Sequence, residues 1–222
     1  MKPSVNLKPV LTFLGDLEKN NNKAWFDANR ARYEQARAHF EEFVQLLIAE
    51  INTFDDLGAL SAKECIFRIN RDIRFSKDKS PYKTNFGALI SPGGKKSSRQ
   101  GYYMHLAPHN QSFVAGGLYM PSSEQLTKFR QAIDRDAAPF KKIIRAKNFV
   151  QSFGPLEGAN LATAPKGYAQ DHPEIELLRL KEVTIGGRLS DQEILAPDVV
   201  QHTARLFKTM KPFLKYLDSV LQ

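Results

Sequence analysis

Apolar positions near the start of the chain repeat with the spacing of an amphipathic helix. This spacing predicts a long helix over residues 23–51 with one buried face. A shorter helix is predicted over residues 12–19, and the polar residues 20–22 suit the end of the first helix and the N-cap of the second. We expect the aromatic members of the stripe, together with Trp25, to be core residues and not ligand contacts. The repeating apolar residues are Phe26, Tyr33, Phe40, Val44, Leu47 and Ile51.

The apolar pattern changes to a period of two after residue 63, which is typical of β-strands. A turn at residues 108–111 predicts an antiparallel hairpin, and residues 91–98 are predicted to be a flexible connection. Because the connections are short, we expect a mainly antiparallel sheet. The strand-like stretches are residues 66–70, 86–90, 102–106, 113–119 and 181–189.

Helices are predicted again in the second half of the chain. Two Ser-x-x-Gln/Glu capping boxes predict helix starts after Ser122 and Ser190. Pro139 is expected to break the first of these helices, and Pro212 is expected to kink or split the terminal helix. Residues 154–173 are rich in Gly, Pro and Ala and are predicted to form an ordered loop.

These elements predict an α+β fold in which a mainly antiparallel sheet of about five strands is packed by a long N-terminal helix and by C-terminal helices. A chain of 222 residues can bury a sizeable core. No linker divides it, so we expect a single domain over residues 1–222. The single cysteine, Cys65, excludes an internal disulfide and fits a reducing compartment. With no signal-like N-terminus and no apolar run of membrane-spanning length, we expect a soluble, cytoplasmic protein with no membrane partner.

Positive charge is concentrated in one part of the sequence. Residues 63–99 contain ten basic and three acidic side chains, whereas the rest of the chain contains 22 basic and 21 acidic ones. A local field of this sign attracts phosphates, nucleic acid or carboxylate ligands. The alternative is a solvated, lysine-rich surface without a partner. We therefore expect an anionic small molecule as the partner, with nucleic acid as the other candidate.

The sequence lacks the established motifs of metal, nucleotide and hydrolase sites. The five histidines are scattered without metal-ligand spacing, so we expect no metal and no cofactor. The G-G-K-K-S-S loop at residues 93–98 lacks the spacing of a phosphate-binding loop. Cys65 is expected to be a buried structural cysteine.

One segment, residues 68–85, combines basic, aromatic and acidic side chains in a way that suits anion recognition. Arginine forks bind phosphate or carboxylate bidentately, lysines add point charge, and Tyr82 can hydrogen-bond or stack. We expect Asp72 to orient a neighbouring guanidinium group and not to act as an acid or base. The alternative is a salt-bridged turn in which Asp72 and Asp78 neutralise their neighbours. The basic candidates for ligand binding are Arg68, Arg71, Arg74, Lys79 and Lys83.

Four stretches of the chain form a recognisable set of motifs. They are N-N-N-K-A-W-F…R-x-x-Y-E, R-D-I-R-F-S-K-D-K-S-P-Y-K-T, Y-Y-M-H-L…G-G-L-Y-M-P and P-K-G-Y…D-H-P. The set resembles the domain of unknown function 2461 family over roughly residues 8–220. Because that family consists of conserved hypothetical proteins with no established activity, the resemblance implies no reaction and no cofactor. It implies two groups of signature positions: Arg71, Asp72, Arg74, Phe75, Lys79, Pro81, Tyr82 and Lys83, and then Pro165, Lys166, Gly167, Tyr168, Asp171, His172 and Pro173.

The second signature group lies in a predicted loop, where binding groups are often found. Lys166, Tyr168 and His172 are therefore further candidates for ligand binding. The alternative is a rigid loop whose glycine supplies an unusual backbone angle. We expect residues 68–83 and residues 166–172 to converge into one anion site.

The sequence favours binding over any specific reaction. We predict that a phosphate-bearing or other anionic ligand is bound by a basic Arg/Lys/Tyr site, with His105 among its members. One alternative is a metal-independent enzyme in which Asp72, His105 or His172 transfers a proton while the arginines hold an anionic substrate. Another is a basic interaction module for nucleic acid or an acidic protein partner, although the predicted strands lack the aromatic and basic pattern of an RNA-recognition sheet.

Overall fold

The computed structural model describes residues 5–156 and 159–222, which form ten α-helices and four β-strands. The helices are α1 (Lys8–Lys19), α2 (Lys23–Ala28), α3 (Arg30–Asn52), α4 (Ala62–Cys65), α5 (Ser123–Arg135), α6 (Ala138–Ile144), α7 (Lys147–Phe153), α8 (Ile175–Leu178), α9 (Asp191–Ile194) and α10 (Val199–Leu221). The strands are β1 (Phe86–Ile90), β2 (Tyr102–Leu106), β3 (Ser112–Leu118) and β4 (Val183–Leu189). They form one antiparallel sheet in the order β1-β2-β3-β4, which confirms the predicted α+β class.

The sheet has four strands where the sequence predicted about five. Residues 66–70 make only isolated antiparallel bridges, from Ile66 to Ala88 and from Asn70 to Tyr82. The two partners lie on either side of a bend at residues 84–85, so no continuous ladder of hydrogen bonds can form. The prediction of a strand over residues 66–70 is therefore wrong.

The predicted helix over residues 23–51 is interrupted at Asn29, which separates α2 from α3. The backbone N–H of Asn29 donates to the carbonyls of Trp25 and Phe26, and its side-chain amide donates to the Trp25 carbonyl at 2.9 Å. Such local bonding by a short polar side chain competes with a continuous helix. Asn22 caps α2 as predicted, because its side chain accepts the Trp25 N–H at 2.9 Å.

Helix α10 runs without a break through Pro212, so of the two expected effects of this proline the split is wrong, and the kink stays a prediction. A proline inside a helix costs roughly 3 kcal/mol. Met210, Phe213 and Leu217 of the same helix are fully buried, and each buried side chain of this kind contributes about 1.5–3 kcal/mol. Burial of these three side chains outweighs the cost of the proline.

The predicted turn between β2 and β3 is present at residues 108–111. His109 and Asn110 have φ angles of 63° and 57°, as both central residues of a type I′ hairpin turn require. Asp191, at the start of α9, stabilises this backbone: its carboxylate accepts both N–H groups at 3.0 Å, and its own N–H donates to the Asn110 side chain at 2.8 Å. The turn is thereby tied to α9.

The described residues group into two compact units, each built from three stretches of chain. Unit 1 comprises Met1–Ser97, Tyr102–Val114 and Arg188–Lys208. Unit 2 comprises Ser98–Gly101, Ala115–Gly187 and Thr209–Gln222. The single domain expected from the sequence stays a prediction.

The core of unit 1 is largely aromatic. Phe40 of α3 is fully buried and stacks on Phe86 of β1 with 5.3 Å between the ring centroids. Phe13 and Phe26 are also buried, and Trp25 lies 6.0 Å from the Phe13 ring. Trp25 is only partly buried, so the prediction of a core position is wrong for this residue.

In unit 2, the buried rings come from the helices, and two strands approach each other unusually closely. Phe140 packs against Phe129 and Phe213 with centroid distances of 5.3 and 5.8 Å. Gly117 of β3 has a φ angle of 119°, and a Cβ atom there would lie 2.1 Å from the Val183 carbonyl oxygen. Only glycine fits this backbone.

Of the loop predicted over residues 154–173, residues 157 and 158 lie outside the described residues. In the described ranges, no helix combines the length and apolar character needed to cross a bilayer.

Replacing Phe40 by alanine is expected to lower the free energy of unfolding by about 3–5 kcal/mol, because the deletion leaves a cavity in the core of unit 1. Urea unfolding measures this change. Phe75→Ala is the matched control, since Phe75 is 96% exposed and its loss should change stability by less than about 0.5 kcal/mol. Equal effects of the two substitutions would contradict the assignment of the core.

Candidate anion-binding site

Residues 68–83, here called the basic hairpin, fold back on themselves beside the start of β1. The Arg71 N–H donates to the Pro81 carbonyl at 2.9 Å, and the Lys83 N–H donates to the Ile69 carbonyl at 2.8 Å. These bonds flank the bridge between residues 70 and 82 and form a short stem. The stem places the side chains of Arg71 and Lys83 at the base of the hairpin and leaves residues 72–80 as its tip.

Asn21 fastens the basic hairpin to the end of α1. Its side-chain amide donates to the Tyr82 carbonyl at 2.9 Å, and its side-chain oxygen accepts the Tyr82 N–H at 3.1 Å. Phe26 stacks on the Tyr82 ring with a centroid distance of 3.9 Å and an angle of 14° between the planes. Tyr82 is therefore a buried anchor of the hairpin.

Two of the charges at the tip, on Asp72 and Arg74, pair with each other. The Arg74 guanidinium donates to both carboxylate oxygens of Asp72, at 2.9 and 2.7 Å. These bonds, with a further one from the Arg74 backbone, lower the pKa of Asp72. Lys79 donates to the Ile73 carbonyl at 3.1 Å. Asp72 thus orients a guanidinium group, as the sequence predicted.

Asp78 is the second acid at the tip of the hairpin. Asp78 accepts hydrogen bonds from the hydroxyl and backbone N–H of Ser80, at 2.6 and 2.9 Å, and forms an ion pair with Arg71. These contacts hold the pKa of Asp78 well below its ordinary value. Arg71 also donates to the Ser76 hydroxyl at 3.4 Å, so its position is fixed from two sides.

A polar cleft of about 440 Å³ opens at the base of the hairpin, within unit 1. We call it the hairpin cleft. Its lining includes two acids, of which Asp78 pairs with Arg71 and Glu18 lies 3.3 Å from the ring of His109. The lining residues are Glu18, Asn21, Arg71, Asp78, Ser80, Tyr82, Lys83, Thr84 and Asn85.

Lys83 is the cation of this cleft that has no acidic partner in the described part of the chain. Its ammonium group lies 5.7 Å from the centre of the Phe67 ring. Partial burial, and then the positive charge of Arg68, lower the pKa of Lys83. A cation that is partly desolvated next to another cation is in an unfavourable environment unless an anion binds to it.

His105 lies on the sheet, outside the lining of the hairpin cleft. Its ring stacks on Phe113 with a centroid distance of 4.4 Å, and its Nδ1 lies 3.2 Å from the Tyr103 hydroxyl. Burial lowers the pKa of His105 to about 4. The imidazole is therefore neutral near pH 7, so it adds no positive charge to the site.

The second predicted group of site residues belongs to unit 2. His172 accepts the Glu174 backbone N–H at Nδ1, at 3.0 Å. Its other nitrogen, Nε2, therefore carries the proton and donates to Asp134 at 3.1 Å. With both nitrogens engaged, His172 fixes the loop that precedes α8 to α5. This is a structural role.

Tyr168 and Lys166 lie in the same loop as His172. The Tyr168 ring meets the His172 ring edge to face at 6.0 Å. Burial, followed by the charge of Asp134, raises the pKa of Tyr168. Lys166 is exposed, and Gly167 has a φ angle of 94°, the unusual backbone angle that the alternative interpretation of this loop proposed.

The structure brings some of the predicted site residues together within unit 1. Arg71, Tyr82 and Lys83 line the hairpin cleft, and Arg68 acts electrostatically on Lys83. Arg74, Asp72 and Lys79 are engaged at the tip. Since residues 166–172 belong to unit 2, convergence of the two groups into one site stays a prediction.

Sequence reasoning missed several residues of the cleft. Asn21, Ser80, Thr84 and Asn85 line it but were not among the predicted ligand-binding residues. The available signal was the run of three asparagines at residues 20–22, which was interpreted as a helix end and cap only. A side-chain amide can also pair with an extended backbone through one donor and one acceptor, as Asn21 does.

The fold and the cleft define this chain as an α+β protein with a polar cleft beside the basic hairpin. A family model described as conserved hypothetical protein (DUF2461) matches residues 9–216. The chain belongs to that family. Neither the curated proteins nor the solved structures gave a match.

Asn21→Ala is expected to destabilise the protein by about 1–3 kcal/mol, because it leaves partly buried N–H and C=O groups of Tyr82 without partners. Chemical denaturation measures the change. Asn20→Ala is the control, since the Asn20 side chain makes one exposed bond, to the Asp16 carbonyl. If the two variants are equally stable, Asn21 is not the anchor of the hairpin.

The low pKa of His105 gives stability a defined pH dependence. The pKa is about 4 in the folded protein, against an ordinary value of 6.5 for a solvent-exposed histidine. Between these values the unfolded chain binds the proton more strongly than the folded protein does. The free energy of unfolding therefore decreases as pH falls from about 6.5 towards about 4. The difference in melting temperature between wild type and His105→Gln should shrink over this range. A midpoint near 6.5 in an NMR titration of the His105 ring would contradict the prediction.

Proposed function

We propose that the protein binds a phosphate-bearing or other anionic ligand in the hairpin cleft. The observation that carries the proposal is Lys83, a partly buried cation with a lowered pKa and no acidic partner in the described ranges. An anion at this position would supply the missing charge. It would also restore the pKa of Lys83 towards its ordinary value.

The surroundings of Lys83 suit an anion in other respects. Arg71 is already held by Asp78 and Ser76, so its guanidinium group loses little conformational freedom when a ligand binds. Thr84 offers a hydroxyl group in the lining of the cleft, and Asn85 offers an amide. Since Asp78 offsets much of the charge of Arg71, Lys83 is the main source of charge for binding.

The contacts of the other candidates support binding more than catalysis. Asp72 is occupied by Arg74, and both ring nitrogens of His172 are engaged. His105 has a pKa of about 4, which is far from the value near neutrality that suits a general acid or base. No observation on these side chains favours the enzyme alternative.

Lys83→Gln is expected to weaken binding of tripolyphosphate by about one to two orders of magnitude, because it removes a charge-assisted contact worth about 1.5–3 kcal/mol. Isothermal titration calorimetry at low salt measures this change. Lys96→Gln is the matched control: it removes the same charge from an exposed position in the loop after β1, where salt screens it.

Two outcomes would contradict the proposal. One is wild-type protein that shows no affinity for tripolyphosphate or pyrophosphate. The other is equal loss of affinity in Lys83→Gln and Lys96→Gln, which would indicate diffuse attraction by net charge and not a cleft. Circular dichroism of each variant establishes that the fold is intact.

A further inference from the structure

A row of aromatic rings extends from Lys83 across one face of the sheet. Phe67 lies under the Lys83 ammonium group, and its ring centre is 6.4 Å from that of Tyr103. The Tyr103 ring lies 5.9 Å from Phe113 and 6.1 Å from His105, and Phe113 stacks on His105 at 4.4 Å. We call Phe67, Tyr103, His105 and Phe113 the ring row; all four belong to unit 1.

The ring row lies on the less buried face of the sheet. Along β2 and β3, buried residues such as Met104 and Val114 alternate with partly exposed ones. Tyr103, His105 and Phe113 occupy the partly exposed positions. Strands that are buried on one face and expose aromatic rings on the other provide a surface on which planar groups can stack.

Glycine at position 87 leaves room for the Tyr103 ring. A Cβ atom there would be 2.9 Å from the Tyr103 hydroxyl oxygen and 3.4 Å from a carbon of its ring. Without a side chain at this position, the Tyr103 ring lies over Gly87, and its hydroxyl reaches His105. The low pKa of His105 keeps the row free of charge near neutral pH.

Two positive charges lie at one end of the row. Lys83 is at one end, with Arg68 acting on it electrostatically. Residues 63–99 supply ten basic side chains against three acidic ones. A surface that joins stacking rings to cations complements a ligand that carries both planar bases and phosphates.

We propose that the anionic ligand is single-stranded nucleic acid, with phosphate at Lys83 and bases stacked along the ring row. The inference rests on the proposed function, since the phosphate contact is the hairpin cleft already described. The inference favours a strand over a mononucleotide, because Phe67 lies beside Lys83 and the other three rings are grouped further along, which gives more than one base a stacking partner.

The main test compares two ligands on matched variants. Phe113→Leu is expected to weaken binding of a fluorescein-labelled dT or U oligonucleotide by about 5- to 20-fold, because it removes a stacking partner. Its affinity for tripolyphosphate should not change. Phe75→Leu is the control, since Phe75 is 96% exposed at the hairpin tip and lies outside the ring row. The reverse result, with loss in Phe75→Leu and none in Phe113→Leu, would overturn the inference.

Salt dependence separates charge from stacking. Lys83→Gln should reduce the slope of log affinity against log salt concentration by about 0.7, the value for one phosphate contact on a single strand. Phe113→Leu should lower affinity by the same factor at each salt concentration. A wild-type protein that binds uridine monophosphate as tightly as the oligonucleotide would show that no strand is recognised.

Failure of the inference can be distinguished from failure of the proposed function. If tripolyphosphate binds through Lys83 while Phe113→Leu leaves the affinity for the oligonucleotide unchanged, only the inference is wrong. If neither ligand binds wild type, both are wrong. A wild-type dimer that becomes monomeric in Phe113→Ser would show that a second copy of the chain covers the row, which also overturns the inference. Quenching of a 2-aminopurine base on binding to wild type tests stacking without any variant.

Discussion

Asn21 substitutes for a strand partner of Tyr82, and the geometry of the candidate site depends on this one pairing. The amide supplies one donor and one acceptor to the Tyr82 backbone, and Phe26 stacks on the Tyr82 ring. A stem with few bonds of its own is marginal in water. Held in this way, it places Arg71 and Lys83 on the wall of a single cleft. The N-N-N-K-A-W-F and S-P-Y-K-T motifs, 61 residues apart at their contact, are thus two halves of one anchor.

The basic hairpin divides its charges into two groups with different physical roles. At the tip, Arg74 and Asp72 form an ion pair that holds the loop and adds no net charge. Exposed pairs of this kind contribute little to stability. At the base, burial separates Lys83 from bulk water without providing a counter-charge. The alternative interpretation of the segment as a salt-bridged turn therefore describes the tip, whereas anion binding at the base stays a proposal.

Local signals predicted much of the fold. The capping boxes at Ser122 and Ser190 and the turn at residues 108–111 depend on neighbours in sequence, and each is present in the structure. Features that depend on distant residues were not predictable. The failed strand at residues 66–70 results from bridges to two separate parts of the chain. The ring row was not predictable for the same reason, because its members come from β2, from β3 and from the chain before β1.

The attachment of Asp191 to the β2–β3 turn also affects how this protein can be altered. An exposed two-residue turn is ordinarily a site where a chain accepts insertions or new termini. Here both N–H groups of the turn are bonded to a carboxylate that lies 81 and 82 positions further along the chain. Lengthening or cutting the loop would release the start of α9 as well as the hairpin. Tags, circular permutations and proteolytic nicks at this exposed place would therefore disturb more of unit 1 than its surface position suggests.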